Sequence, residues 1–327
     1  MSTTSDATPG ASTRTTDLTV LSAPRRTWLG RATRPVLLAN LVCQIGIIVT
    51  GGLVRLTGSG LGCPTWPQCV PGSYTPVVTQ PQGYHKYIEF GNRTLTGVIG
   101  IVALAAFVVV LADVRRTRRT GGPVERGLLA LAAVPFLGVV AQAVLGGITV
   151  LTGLSPQTVA AHYLLSSVLV VASTALLLVM HHPTSPVARR EVHWIAWAVA
   201  LVCGVVLVLG TVVTGSGPHS GDADTPNRFG FDPRTVSWLH ADAVWLFVGL
   251  VVALLLAMRL VGATRAAHRR GVWLLVVTLA QGAIGYVQYF TGLPVSLVTL
   301  HMLGSALLTV AVTAAVAAVV GLERRPV

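Results

Sequence analysis

Imidazole is the commonest side chain for binding a metal, and three histidines of this chain stand where such a group is hard to explain as decoration. His162, His240 and His301 each sit five to seven residues inside one end of a long apolar stretch. At about 1.5 Å per residue they share one depth, roughly 8–10 Å in. A single histidine at such a place can satisfy itself by hydrogen-bonding a neighbouring helix. Three at one depth point to iron. His240 and His301 belong to different helices of one half of the chain, and two imidazoles facing each other across a four-helix bundle form a bis-histidine heme site. Zinc fits less well, because no third or fourth ligand is near in sequence.

The first half offers His162 and, at the position matching His240, Asn92. An amide is a poor ligand for heme iron, so this site would keep one axial histidine and leave the other iron face free. Electron transfer favours two fixed ligands, whereas oxygen activation needs an open position. Glu89 lies three residues before Asn92 on the same helical face. A carboxylate inside a span is a functional candidate by default. It either relays protons or pairs with Arg93 four residues on, and Arg93 could instead hold a heme propionate. His85, one turn before Glu89, reads as a loop histidine, with a relay or replacement-ligand role as the alternative. Gln142 and Gln281 serve packing or propionates equally well. Cys63 and Cys69 stand in Gly62-Cys63-Pro64-Thr65-Trp66-Pro67-Gln68-Cys69. Outside the cytoplasm two nearby thiols tend to oxidise to a disulfide. A redox role in electron or cofactor transfer is the competing reading. Cys43 and Cys203 lie inside spans as packed residues.

The elements that must position these groups are membrane helices. Of 327 residues, 53% are hydrophobic and only 10% charged, against about 25% in an average soluble domain. That excludes an ordinary cytosolic enzyme and a disordered chain. The net charge of +12 does not indicate a nucleic-acid partner, because the basic residues lie between apolar runs rather than along one helical face. Residues 127–180 and 271–322 contain no Asp, Glu, Lys or Arg. A span needs about 20 apolar residues, so each run holds two spans and a Gly/Pro turn. Eight spans are expected, at 35–55, 87–112, 127–150, 157–180, 194–214, 234–258, 271–290 and 295–320. Most of the 23 basic residues fall on the two termini and the even-numbered connections. Both termini are therefore expected in the cytoplasm, with the long loops at 56–86 and 215–233 facing outward. Residues 1–32 are expected to be a disordered cytoplasmic tail, 33–182 the first four-helix half and 190–322 the second.

The halves repeat. Gln142, Gly146, Thr152-Gly153-Leu154 and His162 recur without a gap as Gln281, Gly285, Thr291-Gly292-Leu293 and His301. Thr57-Gly58-Ser59-Gly60 recurs as Thr214-Gly215-Ser216-Gly217. Each half has an even number of spans, so a pseudo-twofold axis along the membrane normal should relate the two four-helix bundles.

With Thr57-Gly58-Ser59-Gly60-Leu61-Gly62-Cys63-Pro64-Thr65-Trp66-Pro67, Cys69, Glu89-Phe90-Gly91-Asn92-Arg93 and the three histidines, nearly the whole chain after about residue 33 resembles the heme A synthases. The resemblance implies an all-α protein of eight spans in the cell membrane, with heme b held by His240 and His301. It implies heme O as substrate in the first half, and the residues there make His162 its expected ligand, with Asn92 and Arg93 lining the pocket. It implies Glu89 as the catalytic carboxylate and an outer-loop pair Cys63–Cys69 linked to heme handling. The chemistry implied is oxidation of the methyl group at ring position 8 of heme O. Two hydroxylations give a geminal diol, which loses water to leave the formyl group of heme A, the heme of cytochrome c oxidase. The partners implied are membrane lipid, a heme O synthase (protoheme farnesyltransferase), an electron donor the sequence does not identify, and further copies of the chain in a homo-oligomer. Two departures stand out: the family commonly has His where this chain has Asn92, and the second long loop, with Gly217-Pro218-His219-Ser220-Gly221-Asp222, has no cysteine. The competing functions are a membrane b-type cytochrome exchanging electrons with quinone and a transporter built from paired repeats.

Overall fold

Long runs of Leu, Val and Ala leave the backbone one way to satisfy its polar groups away from water, which is to bond within each segment as a helix. The computed structural model describes residues 28–122, 125–187, 189–222 and 224–322, and side chains from residue 32 onward. It contains α1 (Trp28–Leu56), α2 (His85–Arg119), α3 (Arg126–Leu151), α4 (Pro156–His181), α5 (Arg190–Ser216), α6 (Pro233–Leu260), α7 (Arg265–Phe290) and α8 (Val295–Val320). All eight are long and apolar enough to cross a membrane. Among the described residues the only extended pairings are two isolated bridges, Val70 with Ser73 and Thr184 with Leu322.

The eight expected spans coincide with these helices, and the differences cluster at the basic ends. The segment expected to end at 112 runs on to Arg119, and that expected to begin at 271 begins at Arg265. Helical hydrogen bonding continues through arginine-rich turns that apolar runs do not mark. For the same reason residues 28–32 of the expected tail are the first turns of α1, while residues 1–27 lie outside the described residues.

Helix neighbours form two rings. In the first, α1 and α3 each pack on both α2 and α4; in the second, α5 and α7 each pack on both α6 and α8. The rings meet where α8 touches α1 and α4, and where α4 touches α5. Exchanging one half for the other maps this set of neighbours onto itself. The diagonal helices, α2 with α4 and α6 with α8, do not come within packing distance. The seam is bonded as well as packed: the Tyr163 hydroxyl on α4 donates to Ser305 Oγ on α8 at 2.8 Å.

Apolar packing fills only part of each ring. In the second half the core includes Phe247, Val251, Leu254, Met258, Leu274 and Val312, and in the first half Leu37, Val110, Ala132 and Leu176. These residues lie toward the basic ends of their helices. Toward the ends that carry the long loops, the diagonals bear Asn92, His162, His240 and His301 instead.

The repeated turns are built alike. Gly153 and Leu154 have φ of 60° and 56°, and Gly292 and Leu293 have φ of 80° and 60°. In each, the leucine amide reaches back five residues, Leu154 to the Thr149 carbonyl at 2.9 Å and Leu293 to Gln288 at 2.8 Å. That closes the preceding helix with its last carbonyls bonded. It also starts α4 and α8 in the same register, so His162 and His301 fall at matching places.

Candidate functional site

Each of the four diagonal positions leans on a glycine of the preceding odd-numbered helix. A Cβ at Gly146 of α3 would lie 3.4 Å from His162 Cε1, at Gly210 of α5 3.4 Å from His240 Cε1, and at Gly285 of α7 3.4 Å from His301 Cε1. At Gly51 of α1 it would lie 3.9 Å from Asn92 Nδ2. Glycine here leaves a groove in which one edge of an imidazole lies flat against the helix. The Nδ1 atoms of His162, His240 and His301 are buried with no hydrogen-bond partner. All three histidines are half-buried, and the ring atoms nearest the glycine are Cε1 and Nε2 in His162 but Cε1 and Nδ1 in His240 and His301.

His240 on α6 and His301 on α8 stand on one diagonal of the second ring, whose two helices do not pack on each other. No group of three or more His, Cys, Asp or Glu side chains that could hold a metal ion occurs among the described residues.

In the first half, Asn92 Oδ1 accepts a hydrogen bond from Thr50 Oγ1 of α1 at 2.8 Å. This fixes the amide opposite the His162 helix. Gln142 donates to the His162 carbonyl at 2.9 Å and to Ser166 Oγ at 2.6 Å, while Gln281 packs against Gly304 of α8. Of the two roles open to these glutamines, the contacts are those of helix packing.

Glu89 and Arg93 tie the first long loop to α2. Glu89 is 5% exposed; its Oε2 accepts from the Cys63 amide at 2.6 Å, and its Oε1 accepts from Arg93 Nε at 3.0 Å and Nη2 at 2.5 Å. Arg93 also donates to the carbonyls of Cys63 at 2.6 Å, Thr65 at 3.0 Å and Gln68 at 3.3 Å. The guanidinium is thus spent on the loop rather than left for a propionate. Cys63 and Cys69 form a disulfide, both fully buried. Trp66 of the same loop packs on Gly147 of α3, where a Cβ would overlap its ring. His85 Nδ1 is within 2.8 Å of Ser59 Oγ, so this histidine is held by the loop and not simply solvated. Lys86 is buried and donates to the carbonyls of Val77 at 2.7 Å and Val78 at 3.0 Å.

Of the residues singled out by sequence, Glu89, Arg93, Cys63 and Cys69 come together in the loop clasp. His240 and His301 take one diagonal of the second ring, and Asn92 and His162 take the corresponding diagonal of the first. Sequence reasoning missed Thr50, Gly51 and Gly210. Gly146 and Gly285 were visible as repeat markers, and their role as supports for histidines could have been read from the shared interval of sixteen residues to each histidine.

Residues 34–313 match the cytochrome oxidase assembly protein family (COX15-CtaA). The chain is similar to proteins named heme A synthase. One from Bacillus cereus (strain 03BB102) is 24% identical over 272 residues, covering 79% of this chain and 83% of the relative. One from Symbiobacterium thermophilum is 27% identical over 292 residues, covering 80% and 89%. One from Geobacillus kaustophilus is 33% identical over 146 residues, covering 44% and 42%.

Proposed function

Because the chain belongs to the COX15-CtaA family of cytochrome oxidase assembly proteins, we propose that it is a heme A synthase, a membrane oxidoreductase that converts the position-8 methyl group of heme O to a formyl group. The observation that carries the reading is the pair of unequal diagonals. His240 and His301 present two imidazoles, each backed by a glycine, whereas His162 is opposed by an amide held by Thr50.

His240 and His301 hold heme b, and His162 holds the substrate heme O with Asn92 on the opposite side. When bound, heme b supplies one-electron relay chemistry. His162 would hold the substrate heme, and Gly146 sets the place of that imidazole against α3. Asn92 keeps its side of the pocket free of a second strong ligand. The loop clasped by Glu89 and Arg93 covers this end of the first ring and limits access of water. Glu89 lies one helical turn outward from Asn92, and its carboxylate, held by Arg93 and the Cys63 amide, stands at the mouth of the substrate site as a proton relay. This is the catalytic part we assign to it. The 33–182 and 190–322 halves are the two heme-bearing units, and the protein lies in the cell membrane with both termini cytoplasmic. A heme O synthase supplies the substrate.

Heme extracted from membranes of cells making this protein together with a heme O source tests the reading. A formyl-bearing heme is expected. Bound heme with no formyl product would instead favour a b-type cytochrome exchanging electrons with quinone, and protein without heme absorbance would favour a transporter.

A further inference from the structure

Arg55 is a cation with no evident anion. It stands at the loop end of α1, where its Nη2 donates to the Thr214 carbonyl of α5 at 2.7 Å and its Nε is buried with no partner. Among the described residues no carboxylate lies within ion-pair distance of it; the pair that forms is Glu89–Arg93. A guanidinium placed between helices without a counter-charge is costly unless something negative arrives.

Its position says where that charge would come from. Arg55 lies four residues, about 6 Å, beyond Gly51, on the face of α1 that meets Asn92. Thr214 lies four residues beyond Gly210, on the face of α5 that supports His240. The guanidinium therefore sits one turn outward from both iron-binding diagonals, at the seam between the halves. The loops close in around it: the Gly60 amide donates to the Gly221 carbonyl at 2.8 Å, and a Cβ at Gly221 would lie 3.4 Å from Arg55 Cγ. Arg93, the other basic residue near this level, is already committed to Glu89 and three loop carbonyls.

Resting on the heme-binding reading above, we propose that Arg55 is the propionate-binding residue at the seam, pairing its free guanidinium edge with a carboxylate of a bound porphyrin. Two parallel N–H···O bonds are what a guanidinium offers a carboxylate. The porphyrin is either the heme of the second half or the substrate of the first, and the two give separate signals.

The test is Arg55→Gln in the full-length holoprotein. Glutamine removes the charge and keeps a donor for the Thr214 carbonyl. Losing a cation beside a propionate favours the oxidised form of that heme. Its oxidised-to-reduced ratio at fixed potential is expected to rise about tenfold, a fall in midpoint of about 59 mV for one electron. Its propionate bending band in the resonance Raman spectrum should move as well. The heme that shifts identifies the source, and Arg55→Lys is expected to restore most of the midpoint. Two hemes bound at wild-type stoichiometry with unmoved midpoints and bands would overturn the assignment and leave the function intact. Wild-type protein with no heme would overturn the function itself. Should both variants fail to assemble, wild-type protein loaded with heme dimethyl ester decides. Binding at least tenfold weaker than the free acid is expected, and equal binding refutes the proposal.

Discussion

The two rings share a plan and differ in what was added to it. In the second, α6 and α8 carry histidines on glycines of α5 and α7, and among the described residues the loop leading to α6 has no disulfide or ion pair like those of the first half. His219 Nε2 lies 3.0 Å from the Leu293 carbonyl, which ties that loop to the turn before α8. In the first ring one histidine is replaced by Asn92, and the connecting loop carries a disulfide, a buried ion pair and a buried lysine. On the proposed reading the same backbone makes one closed site and one open site, and the open one carries the heavier lid.

The sharpest way to break this comparison is to remove the imidazoles. His240→Ala or His301→Ala should abolish the low-spin heme b spectrum, because a site with two fixed ligands loses one. His162→Ala should abolish formyl-heme production with the heme b spectrum intact. Loss of heme b absorbance in the His162 variant would mean that the rings are not independent. A finer version leaves the ligand and removes its support: Gly285→Val places branched carbons where His301 now lies and should reproduce the His301→Ala spectrum. Gly285→Ala, with a Cβ at ordinary contact distance, should have little effect.

The lid comes next. Breaking one side of a buried ion pair leaves the other charge unpaired and costs about 3–5 kcal/mol. Glu89→Ala should therefore lower the thermal midpoint and expose the Cys63–Cys69 segment to protease, while heme b stays bound. If the loop resists protease as well as in the wild type, the clasp is not what holds it.

Much of this architecture was legible because membrane helices announce themselves by length and charge. The repeat was legible because identical turns require identical Thr-Gly-Leu chemistry at positive φ. Glu89 was visible as a costly carboxylate, and its pairing with Arg93 was one of two readings that helical spacing allowed. What could not be read was anything set by the rotation of one helix against another. Gly210 looks like any glycine in an apolar run until α6 packs on α5 and puts His240 beside it. Thr50 acquires a role only once α1 meets α2. In the sequence Arg55 is one basic residue at the end of the first span, and its unpaired Nε appears only when the halves close around it.

The smallest effect tests why the first site stays open. Asn92 occupies a position whose counterpart in the second half is a histidine, and Gly51 provides a comparable groove behind it. Asn92→His should convert the first ring into a second bis-histidine site. The substrate heme would become low-spin, with no loss of protein stability. Thr50→Val removes the single bond that orients the amide, worth about 1 kcal/mol. A slight fall in formyl-heme production is expected, with ligation unchanged. If Asn92→His leaves the first heme five-coordinate, Asn92 does not face the iron, and openness must come from the displacement of α2 rather than from the choice of side chain.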